Sequence, residues 1–348
     1  MRAVYFDAFG QTPVIAEVAD PVASSDGVVV RVQTTGLCRS DIHGWQGHDA
    51  GIALPHVPGH ELVGIIDSVG DNVSRFAVGQ RVTTPFVCAC GHCPECLSGN
   101  GQVCRNQTQP GFTHWGSYAE LVALHSADQN LIAVPDEVDG GAAALLGCRF
   151  ATAYRGVAHR AALATGEWLL VVGCGGVGLS AVMIGKAIGA RVIGVDVSEG
   201  ALQTAARVGA DRVINSRDLD QRQVVDAVRT ITGGAGANVS VEALGREATV
   251  ALAIHSLAPR GRHVQIGLLA EDPAIPMSAV IAQELTIHGS HGMPASAYPE
   301  LLDLVRSGAL RPQDVITERI GLDDVPEAMA RMARGELAGV TVIDVEPH

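Results

Sequence analysis

Lysine is nearly absent from this chain of 348 residues: Lys186 is its only one, and the formal net charge is −13. A protein with that balance repels nucleic acid phosphates and anionic lipid, so neither is expected as a partner. A secretory signal is also not expected, since MRAVYFDAFG reaches Asp7 before any long apolar stretch. Internal repeats and low-complexity segments are absent as well. We therefore expect a globular protein of the cytoplasm that binds neither nucleic acid nor membranes.

Two domains are expected at this length, because a single hydrophobic core usually stops growing at about 250–300 residues. From Met1 to about Cys148, short apolar runs such as GVVVRVQTTG are broken by Gly and Pro, which predicts a strand-rich barrel or sandwich. From about Phe150 strands alternate with helices, which predicts an α/β fold with a doubly wound parallel sheet. The strands are WLLVVG, RVIGVD, RVIN, NVSVEAL, RHVQIG and LTIHGS.

The last part of the chain predicts two helices, YPELLDLVRSGAL and VPEAMARMARGE, and a final strand, GVTVIDV. This tail is too short to form a domain and is expected to return to the first one. We therefore assign residues 1–149 and 291–348 to one domain and residues 150–290 to the other.

A glycine-rich turn, VVGCGGVGLS, follows the first strand of the second domain and opens a helix. Its GxGxxG spacing permits a tight turn, a close approach to a pyrophosphate and close packing of helix on strand, while the helix N-terminus offers free N–H groups. Asp196 ends the next strand, where a carboxylate binds the ribose of NAD and repels the 2′-phosphate of NADP. The residues predicted to contact the cofactor here are Gly173, Gly175, Gly176, Val177, Gly178 and Asp196.

Five of the eight cysteines fall between residues 88 and 104, in CACGHCPECLSGNGQVC. In a reducing compartment, clustered cysteines are more often metal ligands than disulfides. Four sulfurs at CxxC-type spacing close a tetrahedral zinc site, and such a site is structural because no position is left for substrate. The four predicted ligands are Cys90, Cys93, Cys96 and Cys104. Cys88 lies outside the spacing and is interpreted as a spare thiol.

A second set of candidate ligands is spread over the first domain. GLCRSDIHG contains Cys38, PGHELVGIIDSVG contains His60, and LLGCRFATAY contains Cys148. Two thiolates and one imidazole leave the fourth position of a zinc ion open for water or substrate. Sequence spacing does not show whether the three residues meet, and an ordinary core position is the alternative interpretation of Cys148 and of His60.

Together these motifs resemble the zinc-containing medium-chain dehydrogenase/reductase superfamily, in its alcohol dehydrogenase branch. GHExxGxxxxxGxxV is matched from Gly59 to Val73 and CRSDxH from Cys38 to His43, and the four-cysteine lobe and GxGxxG follow in the family's order. The resemblance spans essentially the whole chain. It implies a GroES-like catalytic domain with an inserted Rossmann domain, and NAD and two zinc ions per chain as cofactors.

The resemblance also implies residue roles. Cys38, His60 and Cys148 would bind the catalytic zinc, Glu61 would approach the metal during ligand exchange, and Asp41 would orient His60.

Further roles concern the cofactor and the proton. Arg39 would meet the cofactor phosphate, and Thr152 would touch the nicotinamide side. Ser40 would take the alcohol proton and pass it through the cofactor ribose to His43, a residue type that titrates near neutral pH. A plain surface histidine is the alternative interpretation of His43.

The substrate is predicted only as a class. Phe86 aligns with a pocket position of the family and Trp45 follows the relay motif, so apolar walls favour small or aromatic alcohols, although either residue could equally be ordinary packing. The rival functions are a polyol dehydrogenase of the same superfamily, a zinc-free reductase and a non-catalytic zinc-binding interaction protein. A homodimer or homotetramer is expected, with LTIHGS at the edge where relatives associate.

Overall fold

The structure is a computed structural model that describes residues 1–345, and the chain divides into two compact units. Unit 1 comprises Met1–Ala151, Gly292–Arg306 and the described residues 316–345, and unit 2 comprises Thr152–His291 and Ser307–Val315. The segment Ser307–Val315, which the sequence assigned to the first domain, thus groups with unit 2. No helix of the described chain combines the length and the apolar character that crossing a bilayer requires.

The first part of unit 1 is strand-rich, as predicted. Its strands are β1 (Arg2–Tyr5), β2 (Val14–Glu17), β3 (Val28–Gly36), β4 (Leu62–Val69), β5 (Arg81–Thr83), β6 (Leu121–Leu124) and β7 (Ile132–Ala133). Its helices are α1 (Arg39–Trp45), α2 (Pro94–Leu97), α3 (Ala127–Asn130) and α4 (Gly140–Leu145), with a 3₁₀ turn at Gly101–Val103 and a π-helical turn at Leu146–Phe150.

The helical stretch that begins with α4 continues into unit 2. Its next parts are α5 (Ala151–Tyr154) and a second π-helical turn, Arg155–Arg160. Unit 2 then contains β8 (Trp168–Val172), α6 (Gly176–Ile188), β9 (Arg191–Asp196), α7 (Glu199–Arg207), β10 (Arg212–Asn215), α8 (Gln221–Ile231), β11 (Ala237–Glu242), α9 (Glu247–His255), β12 (Leu257–Gln265), α10 (Met277–Ala282) and β13 (Thr286–Gly289), with a 3₁₀ turn at Pro312–Val315.

The tail returns to unit 1. It forms 3₁₀ turns at Ala295–Ala297 and Leu322–Asp324, helices α11 (Tyr298–Arg306) and α12 (Val325–Ala333), and strands β14 (Ile316–Gly321) and β15 (Val340–Asp344). Both predicted helices and the predicted last strand are present. Strand β14 was not predicted, because its alternation of half-buried and exposed residues in ITERIG is broken by charged side chains.

The large sheet of unit 1 has the strand order β14-β15-β3-β4-β5-β7, with β6 paired to β3. At its centre β3 is rich in β-branched residues, VVVRVQTTG, and is almost entirely buried. It pairs antiparallel with β4, β6 and β15. The end of β3 and the start of β4 thus lie side by side, which brings the chain segments that carry Cys38 and His60 together.

Unit 2 contains a six-stranded sheet in the order β10-β9-β8-β11-β12-β13, with every neighbouring pair parallel. In chain order this arrangement is 3-2-1-4-5-6, the order of a doubly wound dinucleotide-binding sheet. All of the predicted strands are present. The structure confirms the predicted fold class in its general form, with a β-rich unit 1 and an α/β unit 2 that contains a doubly wound parallel sheet.

Candidate active site

Three chain segments of unit 1 bring four potential ligand residues together. Cys38 is the N-cap of α1, just after β3 ends, His60 and Glu61 immediately precede β4, and Cys148 lies in the π-helical turn after α4. π-helical turns are rare and often mark functional positions. One ligand atom from each of the four residues lies within 4.8 Å of the other three, so residues that are more than a hundred positions apart in sequence form one cluster.

His60 is oriented by a buried carboxylate. Its Nδ1 lies 2.8 Å from Asp41 Oδ1, while its Nε2 is buried and has no hydrogen-bond partner. The hydrogen bond to Asp41 places a proton on Nδ1, so Nε2 is the nitrogen that can bind a metal, once it has given up any proton of its own. Asp41 also accepts hydrogen bonds from the backbone N–H groups of Cys38 and Gly59 and from the hydroxyl of Tyr118.

The two sulfurs of this cluster share their charge unequally. A hydrogen bond from Cys148 outweighs the effect of burial and lowers the pKa of the Cys38 thiol well below its ordinary value, with His60 contributing in the same direction. The hydrogen bond to Cys38 and burial raise the pKa of Cys148. For His60, burial favours the neutral ring, but the charge of Asp41 and the hydrogen bond to it raise its pKa. An orphaned imidazole nitrogen beside two thiols is a donor set that fits zinc.

Glu61 is paired with Arg149, the residue after Cys148. The Arg149 Nε lies 2.9 Å from Glu61 Oε1 and 3.0 Å from Oε2, and its Nη2 lies 2.5 Å from Oε2. Both side chains are buried. Burial raises the pKa of Glu61, although the positive charge of Arg149 opposes this shift. The predicted approach of Glu61 to the metal stays a prediction, and in this structure its carboxylate is engaged by Arg149.

The predicted relay residues lie on α1. Ser40 Oγ lies 3.9 Å from the Cys38 sulfur, so this hydroxyl is next to the ligand cluster. His43 is half-buried and contacts the ring of His48, with 5.9 Å between the ring centroids. Within residues 1–345 no hydrogen bond connects Ser40 directly to His43, so a relay between them needs a bridging group.

Three further predicted site residues have clear positions in unit 1. Arg39 is exposed and donates through Nη1 to the carbonyl of Met332 at 2.7 Å, at the end of α12. Phe86 packs against Cys38, Val87 and Cys148, and therefore forms an apolar wall of the ligand cluster. Trp45 packs in the core and donates through its indole N–H to the carbonyl of Gln11 at 2.6 Å. This position gives Trp45 a packing role, and its contact with substrate stays a prediction.

The four-cysteine lobe forms a second cluster in unit 1. The sulfurs of Cys90, Cys93, Cys96 and Cys104 lie within 4.8 Å of one another, and all eight cysteines of the chain are free. The Sγ to Sγ distances are 3.4 Å from Cys93 to Cys96, 3.6 Å from Cys93 to Cys104 and 4.0 Å from Cys90 to Cys96. A tetrahedral zinc with Zn–S bonds of about 2.3 Å requires S···S separations of roughly 3.8 Å. The lobe therefore fits a closed four-sulfur site.

The glycine turn of unit 2 connects β8 to α6. Gly173 has φ +93°, which side-chain-bearing residues rarely adopt. A Cβ at Gly178 would lie 1.7 Å from the Gly173 carbonyl oxygen, so only glycine permits this packing of helix on turn. Gly175, the N-cap of α6, is exposed, and a Cβ there would meet nothing within 4 Å. The turn and the N–H groups of Gly176 and Val177 thus form an open cradle that fits a phosphate.

Two other predicted cofactor residues belong to unit 2. Asp196 lies at the end of β9, where its carboxylate accepts hydrogen bonds from the backbone N–H groups of Cys174 at 2.7 Å and Ser198 at 2.8 Å. It is therefore fixed beside the glycine turn, as a ribose-binding carboxylate requires. Thr152 is buried in α5, and its contact with the nicotinamide stays a prediction.

Two residues near the ligand cluster were missed by the sequence analysis, Arg149 and Tyr118. Arg149 is the only charged residue between Asp139 and Arg155, in an otherwise apolar helical stretch. A buried charge must be paired, so a single arginine in an apolar helical stretch indicates a buried ion pair. That feature of the sequence points to Arg149. For Tyr118, nothing in the local pattern YAELVAL distinguishes a residue bonded to Asp41 from a core tyrosine.

Two family profiles match this chain: an alcohol dehydrogenase GroES-like domain over residues 24–136 and a zinc-binding dehydrogenase over residues 176–307. An alcohol dehydrogenase from Geobacillus stearothermophilus is 32% identical over 99% of this chain and 100% of its own length. An NAD-dependent alcohol dehydrogenase from Sulfurisphaera tokodaii is 30% identical over 99% of both chains. An L-threonine 3-dehydrogenase from Chelativorans sp. is 30% identical over 93% of both chains.

Among solved structures, the alcohol dehydrogenase from Thermus sp. ATN1 is similar, with a TM-score of 0.89 and 29% identity over 99% of this chain and 100% of its own. The chain belongs to the zinc-containing medium-chain dehydrogenase/reductase superfamily, in its alcohol dehydrogenase branch. It is a dehydrogenase of that superfamily and therefore an oxidoreductase. The relatives differ in the substrate that they are named for.

Proposed function

We propose that this chain is an NAD-dependent zinc alcohol dehydrogenase that interconverts primary or secondary alcohols, aromatic ones included, with the matching aldehydes or ketones. The observation that carries the proposal is the meeting of Cys38, His60 and Cys148, whose two sulfurs and one imidazole nitrogen leave one position of a tetrahedral zinc free. The orphaned Nε2 of His60 supports the same assignment. We assign Cys38, His60 and Cys148 as the ligands of the catalytic zinc.

Bound at these residues, zinc would lower the pKa of the substrate hydroxyl, and NAD at the glycine turn would accept the hydride. The protein orients the site through Asp41, which fixes the ring of His60. Phe86 and Phe112 lie beside the His60 ring, with centroid distances of 6.1 Å and 5.2 Å, and exclude water from that side.

The proton of the alcohol leaves through the hydroxyl of Ser40, which lies next to Cys38. His43 then takes the proton to solvent, since it is half-buried on the same helix and burial lowers its pKa, which keeps the ring neutral and able to accept a proton. A proton at Ser40 needs a bridging hydroxyl to reach His43, and the ribose of NAD would supply one when the cofactor is bound. Arg39 supplies a positive charge on the exposed side of α1 for the cofactor phosphate.

We propose NAD rather than NADP as the cofactor because of Asp196. Its carboxylate is fixed by two backbone N–H groups at the end of β9, so it cannot turn away from a 2′-phosphate. The carboxylate and a 2′-phosphate are both negatively charged, and their repulsion disfavours NADP. The name of the Sulfurisphaera tokodaii relative supports the same choice.

We assign a second, structural zinc to Cys90, Cys93, Cys96 and Cys104, because four sulfurs leave no position for substrate. Free thiols in both clusters suit a reducing compartment, so we place the protein in the cytoplasm. We also propose self-association as a dimer or tetramer through β13. This strand ends the sheet of unit 2, and Ile287 on it is 40% exposed.

The test is oxidation of a panel of alcohols by the purified protein with NAD and with NADP, followed by nicotinamide absorbance. The panel contains primary, secondary and aromatic alcohols, polyols and L-threonine, so that it also ranks the alternative substrate classes. We expect turnover of simple alcohols with NAD that is lost on chelation and restored by zinc. The variant Cys148→Ser should be inactive, while Cys88→Ser, which changes a thiol outside both clusters, should keep its activity.

Turnover that survives removal of the zinc bound by Cys38, His60 and Cys148 would rule out the proposed mechanism. Turnover confined to polyols or L-threonine would keep the mechanism and replace the substrate class.

A further inference from the structure

Arg149 contacts all three segments that carry the ligand cluster. Its side chain binds both oxygens of Glu61, and its Nη2 also donates to the carbonyl of Leu37 at 2.9 Å. Its backbone N–H donates to Glu61 Oε1 at 3.0 Å. Arg149 is 3% exposed and Glu61 is fully buried. These buried, two-pronged hydrogen bonds hold the guanidinium in one position, more firmly than an ion pair on the protein surface would.

Each partner of Arg149 is the chain neighbour of a ligand. Leu37 precedes Cys38, Glu61 follows His60, and Arg149 itself follows Cys148. One guanidinium therefore cross-links the three segments without contacting the ligand position itself. We call the set of Arg149, Glu61 and the Leu37 carbonyl the Arg149 clamp.

The clamp also binds a carboxylate, Glu61, that would otherwise compete with substrate for the metal. A Glu61 oxygen lies within 4.8 Å of the ligand atoms of Cys38, His60 and Cys148, and carboxylate oxygens bind zinc well. Both oxygens of Glu61 are bound by Arg149. On its other side, Glu61 packs against Gly36, where a Cβ would lie 2.3 Å from Oε2. The carboxylate is therefore enclosed by Gly36 on one side and held by Arg149 on the other.

The charges of the site support the same role. Two thiolates balance the charge of one zinc ion, and Arg149 balances Glu61. Without Arg149, a buried carboxylate would remain next to a divalent cation and would be drawn to it.

We propose that Arg149 is a positioning residue that keeps Glu61 away from the metal, so that the fourth position stays open for substrate. The proposal rests on the assignment of Cys38, His60 and Cys148 as metal ligands. Loss of Arg149 converts an open site into a closed one in which Glu61 is the fourth ligand.

The experiment replaces zinc by Co²⁺, whose visible absorption reports its ligands, and titrates the protein with imidazole as an external ligand. In the wild type, imidazole should enter the open position and change the spectrum. The four-cysteine site is closed, so any Co²⁺ there should not respond and serves as an internal control. In Arg149→Met, which keeps most of the apolar stem but loses the charge, the affinity for imidazole should fall by roughly tenfold or more.

The double variant R149M/E61Q should recover the imidazole response, because an amide is a poorer ligand for the metal than a carboxylate. Arg149→Lys keeps the charge without the two-pronged geometry and should show a smaller loss. Arg319→Met, which removes a partly exposed arginine paired with Asp139 and Asp344, is the matched control and should respond like the wild type.

The outcomes separate the two proposals. A wild type whose Co²⁺ spectrum never responds to imidazole overturns the open metal site itself. A wild type that responds, with R149M responding equally, overturns only the clamp, as does an R149M/E61Q variant that stays closed. If R149M does not fold, as judged by circular dichroism, the comparison of R149K with wild type decides, and an unchanged imidazole affinity overturns the clamp.

Discussion

The Nδ1 of His60 donates to the Asp41 carboxylate at 2.8 Å, and this single contact leaves Nε2 as a buried nitrogen with no partner in the described chain. Tyr118 in turn donates to the other oxygen of Asp41 at 2.6 Å. The ring is therefore held in one orientation, with Nδ1 on Asp41, before any metal arrives. Hydrogen bonds thus connect Tyr118 through Asp41 to His60 in the ligand cluster.

We expect Asp41→Asn to weaken metal binding at the Cys38, His60 and Cys148 cluster by roughly 10- to 100-fold, the usual effect of removing such a partner. The amide keeps the shape but loses the charge that holds Nδ1 protonated. Competition with a chromogenic chelator measures the affinity. Tyr118→Phe removes only one hydrogen bond to Asp41 and should have a smaller effect in the same direction, and equal affinities in wild type and D41N would contradict this role.

The two clusters should respond differently to loss of one sulfur. Cys104→Ser should remove one zinc per chain and lower the thermal midpoint, and a loss of about 2 kcal/mol would correspond to roughly 4 to 8 °C. Cys148→Ser should remove the other zinc and abolish turnover. Elemental analysis and thermal unfolding of both variants check this division. A C104S protein that keeps its full metal content and stability would speak against a structural site.

Gly175→Ala should weaken NAD binding without unfolding the protein, because a Cβ there points into open space where the phosphate would lie. Gly178→Ala should instead lower stability, since its Cβ would lie 1.7 Å from the Gly173 carbonyl oxygen. NAD titration by calorimetry, together with the thermal midpoint, distinguishes the two effects. Unchanged NAD affinity in G175A would remove the cofactor phosphate from this turn.

The acid limb of the pH profile of kcat/KM should depend on His48. Burial lowers the pKa of His43, and the charges of Arg39 and His48 lower it further, while Cys38 acts in the opposite direction. A lowered pKa keeps the ring neutral, and so able to accept a proton, down to a lower pH. His48→Gln removes one repulsive charge, so the pKa of His43 should rise and the acid limb should move to higher pH.

The control for this experiment is His43→Gln, which should remove that limb from the profile. An acid limb that stays in place in H48Q, or moves to lower pH, would show that His48 does not act on His43 in this way.

Much of the fold follows from local sequence. The strands of unit 2 are short apolar runs between helices, and the glycines of the turn are required by a positive φ at Gly173 and by a contact at Gly178 that no side chain permits. Such constraints act within a few residues and can be read from a pattern. Strand β14 was missed because its charged residues conceal the alternation.

The sequence by itself determined which residue types were available: a four-cysteine lobe at ligand spacing, a glycine turn with Asp196 beyond it, and scattered candidates at Cys38, His60 and Cys148. Only the tertiary structure decided that the last three meet, because β3 pairs with β4 and the π-helical turn after α4 brings the third. It also decided that Arg149 pairs with Glu61. Ion pairs between residues 88 positions apart leave no local pattern, since their energy comes from burial and geometry that exist only after the chain has folded.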